Sequence, residues 1–427
     1  MWRMRRALFV PRGSRATLQK AVPGGSRGLI TGLTGGAIER AVGHSAAQYL
    51  IDTMDQNSKH IDTPTTIVAD PSNAKSWEWV AGLDCKPRLK ADELRALAQQ
   101  GLDPFSLVEE DVSTLSGGIK SLLGSDHPVL ESCAKYFFEI DGGKKIRPTM
   151  VLAMSYALNS QSKAPWGSAS PAQKRLAEIT EMIHTASLFH DDVIDKATTR
   201  RGSSSVNQVF GNKLAILGGD FLLSRASVAL ARLRNTEVIE LLSTVIEHLV
   251  KGEIMQMKTS STGNGALEYY LRKNFYKTAS LMGHSCLAAA VLGNHTEDER
   301  KAAYLYGTYI GQAFQLIDDA LDFEGSLSTT GKAPLADLQS GLATAPTLFA
   351  ADEFPKLAIL IGRKFESPGD VDEALSLVNR SQGVARCKQL AQVHAEKAIE
   401  AVEKALGKST ARDALVSLAA KVVTRTH

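Results

Sequence analysis

The chain has 427 residues, of which 44% are hydrophobic and 22% are charged, so it can bury a sizeable core. Its 49 Lys and Arg residues against 46 Asp and Glu residues give a formal charge of +3, which argues against a nucleic-acid-binding protein. The most apolar runs, such as residues 286–293, are much shorter than the roughly 18 residues of a membrane span, so no integral membrane protein is expected. The four cysteines form no CxxC pair, which indicates reduced thiols.

Positive charge is concentrated at the N-terminus. Seven Lys or Arg residues precede Glu39, the first acidic residue, and apolar and hydroxyl residues lie between them. This composition is typical of a mitochondrial presequence, which we assign to residues 1–42, with a basic tail as the alternative. Residues 43–90 show no sustained periodicity and are predicted to be a linker or a loose extension, with a short helix near residues 46–54.

From residue 91 onward the sequence predicts helices. In the segment that begins at Pro171, apolar residues recur at intervals of three and four, and the later segments are rich in Ala and Leu. No part has room for a βαβ unit, so the fold is predicted to be an all-α bundle. The predicted helices are 104–123, 128–140, the segment from 171, 214–233, 237–259, 267–292, 297–323, 346–365, 371–379, 384–406 and 411–423.

Two of these helices carry the acidic pattern DDxxD, as HDDVID and IDDALD. The six carboxylates are Asp191, Asp192, Asp195, Asp318, Asp319 and Asp322. Positions i and i+4 share a helix face, so each motif points two carboxylates in one direction. Because apolar residues precede both motifs, these charges would face the bundle interior, where a divalent cation such as Mg²⁺ would compensate them. A solvated helix end is the alternative for one motif, but two copies in similar settings favour a metal site.

Basic residues lie near these motifs, in the segments GGKKIRP, RRG and KT and in a Gly-Lys pair after the second motif. The basic candidates are Lys144, Arg147, Arg200, Arg201, Lys277 and Lys332. Cations beside the free N–H groups of a helix start can bind a diphosphate. Each segment alone would usually be a solvated loop, so it is the combination with the acidic motifs that indicates a diphosphate and metal site.

Residues from about 91 to the C-terminus resemble the all-trans polyprenyl diphosphate synthases. The resemblance rests on both aspartate motifs, GGKKIRP, RRG, KT and GQAFQLIDDALD, which occur in the family's order. It implies that 91–427 is the catalytic domain, an isoprenoid synthase-type all-α bundle whose central cavity is lined by the two DDxxD motifs. It also implies about three Mg²⁺ ions in that cavity.

The resemblance assigns a role to each candidate residue. The metal ligands would be Asp191, Asp195 and Asp318, supported by Asp192, Asp319 and Asp322. The residues that bind the allylic diphosphate would be Arg200, Lys277, Thr278, Gln315 and Lys332. The residues that bind isopentenyl diphosphate would be Lys144, Arg147, His184 and Arg201, with a buried core histidine as the alternative for His184. The catalytic residues would be Asp191, Asp192, Asp195, Lys277, Asp318 and Asp319.

The implied reaction is a head-to-tail condensation. Metals and cations stabilise the departing diphosphate, the allylic C–O bond ionises, and the isopentenyl double bond attacks before a proton is lost. The product would grow past Ser187 and Ala186, which are small, towards a floor one turn lower at Ile183, with Met182 or Ile179 as alternatives. This predicts about eight to ten isoprene units, the range used for ubiquinone. Leu342 stands where many relatives have Lys, which removes one expected cation and resembles the mitochondrial quinone-tail branch.

The resemblance also predicts partners and location. The substrates would be isopentenyl diphosphate and farnesyl or geranylgeranyl diphosphate, and the protein would be a homodimer or part of a heteromer. It would lie in the mitochondrial matrix, with peripheral association with the inner membrane as an option. The alternatives are a catalytically dependent subunit of a heteromeric synthase and a shorter-chain geranylgeranyl synthase. A terpene cyclase would not be expected to keep GGKKIRP and the second motif.

Overall fold

The computed structural model describes residues 86–123, 128, 132, 136, 145–160, 168–200, 202–257, 265–324 and 335–425. All of them belong to one compact unit, Ile67–His427. The prediction of an all-α fold is confirmed. The predicted presequence, most of the predicted extension and most of the predicted helix 128–140 lie outside the described residues.

The first half of the described chain contains eight helices and one small hairpin. They are α1 (Ala91–Gln99), α2 (Pro104–Leu107), α3 (Glu109–Leu123), α4 (Ile146–Asn159), α5 (Pro171–Ile194), β1 (Thr199–Arg200), β2 (Ser203–Ser204), α6 (Val206–Phe210), α7 (Asn212–Arg232) and α8 (Thr236–Met257). The two strands are antiparallel, and Gly202 allows the turn between them because its φ is 77°. The sequence did not predict this hairpin, since two-residue strands are too short to show a period.

The second half continues with helices only. They are α9 (Ala266–Asn274), a π-helical segment (Phe275–Ala279), α10 (Ser280–Leu292), α11 (Glu297–Glu324), α12 (Ala336–Gln339), α13 (Ala345–Glu353), α14 (Lys356–Gly362), α15 (Asp370–Arg380), α16 (Gly383–Ala405) and α17 (Thr410–Thr424).

Two of the predicted helices are in fact interrupted. The segment 104–123 begins with a short turn that Asp103 caps by accepting from the N–H groups of Phe105 and Ser106, and it divides at Val108, whose backbone is not helical (φ −113°, ψ 15°). The segment 346–365 divides at Phe354, because Pro355 lacks the N–H group that would continue the helix. The predicted helix 267–292 contains the π-helical segment Phe275–Ala279, and the other predicted helices in the described chain agree with the observed bounds to within a few residues.

Helix α10 forms the centre of the bundle, and all its residues except Leu292 are buried. It packs against α5 and α11, the helices that carry the two aspartate motifs. Helix α11 approaches the π-helical segment closely at Gly311. A Cβ atom at Gly311 would lie 2.4 Å from the Cα atom of Ala279, so only glycine fits at this contact. The central packing therefore fixes the spacing of the two motifs.

By length and composition alone, one described helix, α7, could cross a membrane. Such a helix is weak evidence for a span, because core helices of soluble proteins also meet this test. In this structure α7 packs against α5, and its outer side exposes Ile216, Leu217 and Val228. We therefore describe α7 as a helix of the bundle with one exposed apolar side.

Candidate active site

The first motif lies at the C-terminal end of α5. Ser170 and Gln173 form a capping box at the start of this helix, and the motif occupies its last turn. The carboxylates of Asp191 and Asp195 lie one turn apart, and neither forms a hydrogen bond or an ion pair with another described residue. Burial raises the pKa of Asp191 to about 6, although Lys277 partly opposes the shift. Burial also raises the pKa of Asp195.

Asp192 has a different environment from its two neighbours in the motif. Its side chain is 1% exposed and accepts a hydrogen bond from Arg200 Nε at 2.9 Å and a second one from Nη2 of the same guanidinium. Its backbone carbonyl accepts from Asn207 at 3.2 Å. Asp192 therefore anchors the hairpin that carries Arg200, and Arg200, which we predicted to bind the allylic diphosphate, is held by this carboxylate.

Lys277 faces the first motif from the π-helical segment. Its ammonium forms an ion pair with Glu253 of α8, and the charges of both groups act on Asp191 and Asp195. Gly252 permits this approach, because a Cβ atom there would lie 2.6 Å from Lys277 Cγ. Glu253 was not predicted from the sequence, because nothing local distinguishes it from the other three acids of α8, Glu237, Glu240 and Glu247.

In the second motif, Asp319 is the centre of a buried hydrogen-bond network. It accepts from Gln315 Nε2 at 2.8 Å and from the hydroxyl of Tyr270, and Thr278 donates to Gln315 Oε1 at 3.0 Å. Burial and, to a smaller extent, the nearby charge of Asp337 raise the pKa of Asp319 to about 7. The structure thus brings together Thr278, Gln315 and the second motif.

The other two carboxylates of this motif are more accessible. Asp318 accepts from Arg425 Nη2 at 2.6 Å, and this guanidinium also donates to the carbonyl of Phe314 at 2.9 Å and lies 4.0 Å from the centre of its ring. Asp322 accepts from the backbone N–H of Asp337 at 3.4 Å. The sequence analysis missed Arg425, which is close to the C-terminal end of the chain and has no motif around it.

The predicted isopentenyl diphosphate residues are described only in part. Arg147 Nη1 lies 3.0 Å from His184 Nε2, and because the guanidinium can only donate, this ring nitrogen is the acceptor. Ile183 and Ala186 are fully buried, whereas Ser187 is half-buried and donates to the carbonyl of His184 at 2.8 Å. Three predicted residues lie outside the described chain: Lys144, Arg201 and Lys332.

The carboxylates of the first motif fit a magnesium ion that is also bound by a substrate phosphate. Asp191 and Asp195 offer two carboxylates with no partner among the described side chains, and burial makes their negative charges costly until a cation compensates them. Among the described residues no group of three or more metal-binding side chains is already assembled. A magnesium ion is usually held by one or two carboxylates and completed by water and substrate phosphates, so Asp191 and Asp195 are the described side chains that could hold one.

Comparisons with known proteins agree with this geometry. The polyprenyl synthetase family matches residues 127–378. The chain is 46% identical to Solanesyl-diphosphate synthase 1, mitochondrial, from Oryza sativa subsp. japonica, covering 80% of this chain and 83% of that protein. It is 41% identical to a probable hexaprenyl pyrophosphate synthase, mitochondrial, from Neurospora crassa, covering 94% and 95%.

A solved structure supports the same assignment. The polyprenyl synthase from Caulobacter crescentus, complexed with calcium and isoprenyl diphosphate, matches with a TM-score of 0.68 and 30% identity, over 80% of this chain and 100% of that one. The resemblance that the motifs indicated is therefore confirmed, and the chain belongs to the polyprenyl synthetase family, whose members are prenyltransferases.

Proposed function

We propose that this protein is a long-chain all-trans-polyprenyl diphosphate synthase that depends on Mg²⁺ and makes the side chain of ubiquinone. The observation that carries the proposal is the pair of aspartate motifs on two helices packed against α10, with Lys277 facing Asp191 and Asp195, which pair with no other described side chain. The names of the relatives, solanesyl and hexaprenyl synthases described as mitochondrial, support a long product and a mitochondrial location.

Each group of residues in the site would have a separate role in the reaction. Bound Mg²⁺ would supply positive charge that stabilises the departing diphosphate. Lys277 and Arg200 would add positive charge beside the first motif, and their ion-pair partners Glu253 and Asp192 hold the two side chains in place. Arg147 would hold isopentenyl diphosphate, with His184 fixing the guanidinium. The buried apolar residues of α5 exclude water, which would otherwise quench the allylic cation.

Product length is proposed to depend on the face of α5 below the first motif. Ser187 and Ala186 are small, and Ile183 follows one turn lower, which supports about eight to ten isoprene units rather than a geranylgeranyl product. In the variant Ala186→Phe, chromatography of the dephosphorylated products should show shorter chains. An unchanged product length in an active variant would contradict the assignment of this face.

The assembly and location are proposed as follows. A second copy of the chain would cover the exposed apolar side of α7, which carries Ile216, Leu217 and Val228, to form a homodimer. The basic N-terminal segment 1–42 would direct the protein to the mitochondrial matrix. A heteromer with a second subunit is the alternative assembly.

The test is incubation of the purified chain with farnesyl diphosphate, labelled isopentenyl diphosphate and Mg²⁺, followed by sizing of the products. We expect long-chain products that disappear when Mg²⁺ is chelated, and a loss of rate on the order of a hundredfold or more in Asp318→Asn. A chain that is folded but inactive with farnesyl and geranylgeranyl diphosphate would contradict a self-sufficient enzyme. Activity restored by a second subunit would then identify the heteromeric alternative.

A further inference from the structure

One buried cation in the site belongs to none of the family segments identified above. Lys273 lies in the last turn of α9 and is only 7% exposed. Its ammonium forms no hydrogen bond and no ion pair with any residue that the structure describes, and it lies 5.2 Å from the centre of the Tyr270 ring. Because removing an ammonium from water is costly unless nearby charges compensate it, this position calls for an explanation.

The charges around Lys273 come from both sides of the site. Asp319 and Asp337 attract its ammonium from the second motif and from α12, while Glu253 attracts it and Lys277 repels it from the side of the first motif. The attraction from Asp319 and Asp337 is stronger than the interactions with the other pair. Lys273 is therefore tied to the second motif in two ways: its ammonium lies against the ring of Tyr270, whose hydroxyl donates to Asp319, and its strongest attractions are to Asp319 and Asp337.

We propose that Lys273 is a positioning residue for the second aspartate motif: it compensates Asp319 and Asp337 and so holds the turn of α11 that presents Asp318 to the metal. The inference rests on the proposed function. Lys273 is assigned no contact with substrate, and it acts through Asp319.

The physical reason is the network around Asp319. Without the ammonium, Asp319 and Asp337 would repel each other in a buried setting, which would disturb the hydrogen bonds that Asp319 accepts from Gln315 and Tyr270. Asp318 is the adjacent residue, so any rotation of this turn moves its carboxylate as well. Arg147, in contrast, belongs to α4, so binding of isopentenyl diphosphate should be affected little.

The test compares Lys273→Met with Lys273→Arg and with a control, Lys388→Met. Lys388 is exposed and pairs with Glu324 at the end of the same helix α11, so the control removes the same charge near the motif without touching the buried network. The measurements are the Mg²⁺ concentration for half-maximal rate, the KM for each diphosphate, and Mg²⁺ binding to the substrate-free protein by calorimetry.

We expect Lys273→Met to raise the half-maximal Mg²⁺ concentration and the KM for the allylic diphosphate by about tenfold, as for loss of a charged interaction. The KM for isopentenyl diphosphate should stay within about twofold, Lys273→Arg should restore most of the Mg²⁺ response, and Lys388→Met should behave as wild type. A variant that only melts earlier, with unchanged Mg²⁺ binding and unchanged KM values, would show that Lys273 is merely structural and would overturn the proposal.

Two further measurements test the proposal when Lys273→Met does not fold or when the wild-type chain is inactive. If Lys273→Met does not fold, Tyr270→Phe removes one hydrogen bond to Asp319 and keeps the ring. It should weaken Mg²⁺ binding in the same direction, and wild-type Mg²⁺ binding in Tyr270→Phe would overturn the inference. If the wild-type chain binds Mg²⁺ but makes no product, the proposed function fails while the calorimetric comparison still decides the role of Lys273.

Discussion

The contact between α11 and the π-helical segment offers a sharp test of how the fold positions the site. In the variant Gly311→Ala, the new Cβ would lie 2.4 Å from the Cα atom of Ala279 and 2.7 Å from its Cβ atom. Since apolar carbons pack at about 3.5–4.0 Å, the two elements would have to separate by about 1 Å. The same movement would stretch the hydrogen bond between Thr278 and Gln315, now 3.0 Å long, beyond its useful range.

The expected cost has two parts. Overpacking in a well-packed interior costs about 1–3 kcal/mol, and loss of the neutral hydrogen bond adds about 1 kcal/mol. We therefore expect the free energy of unfolding, measured by urea titration with circular dichroism, to fall by about 2–4 kcal/mol. Because Lys277 would move with the segment, the rate of condensation should fall on the order of a hundredfold in protein that is still folded.

The matched control is Gly117→Ala in α3. A Cβ atom at this position would have no atom within 4 Å, the residue is exposed, and its backbone is helical, so alanine should stabilise the helix by about 0.5–1 kcal/mol. Gly117→Ala should keep full activity. If Gly311→Ala unfolded at the same urea concentration as the wild type and kept its rate, α11 and the π-helical segment would be able to separate without cost. The claim that this contact positions the site would then be refuted.

Three other predictions concern the charged groups. Asp192→Asn should lower the free energy of unfolding by about 1.5–3 kcal/mol, because it breaks the buried pair with Arg200; unchanged urea unfolding would contradict this role. Metal-free protein should lose stability as pH rises from 3.8 to about 6, because Asp191 binds its proton more tightly when folded than when unfolded. Melting curves should show this fall, and Asp191→Asn should reduce its slope. Arg425→Met should bind Mg²⁺ about two- to fivefold more tightly in calorimetry without substrate, since the guanidinium competes for Asp318; weaker binding would show that it assists the metal instead.

The features that were predictable from the sequence are local along the chain. The spacing of Asp191 and Asp195 within one helix, and of Asp318 and Asp322 within another, is enough to place each pair on one face. Apolar periodicity likewise predicted most of the longer helices, because each buries one stripe against its neighbours; α4, which is buried nearly all round, was not among them. The prediction that Asp191 lies in an apolar setting agrees with the effect of burial on its pKa.

The features that were not predictable depend on distant parts of the chain. Arg425 reaches Asp318 across a separation of 107 residues, and Tyr270 reaches Asp319 across 49. No local pattern distinguishes Arg425 from a solvated terminal arginine. The interruption at Val108 was missed for a different reason, because the apolar period continues through the break.

The π-helical segment Phe275–Ala279 contains one extra residue, and this residue sets the direction in which the side chains of α9 point. The N–H of Ser280 bonds to the carbonyl of Phe275, five residues earlier, so this turn contains one residue more than a regular turn. Deleting one residue here would leave an uninterrupted α-helix, but it would rotate Tyr270 and Lys273 by about 100° relative to α10 and away from Asp319. A shorter and more regular helix would still fold into the bundle, yet its charges would face the wrong neighbours.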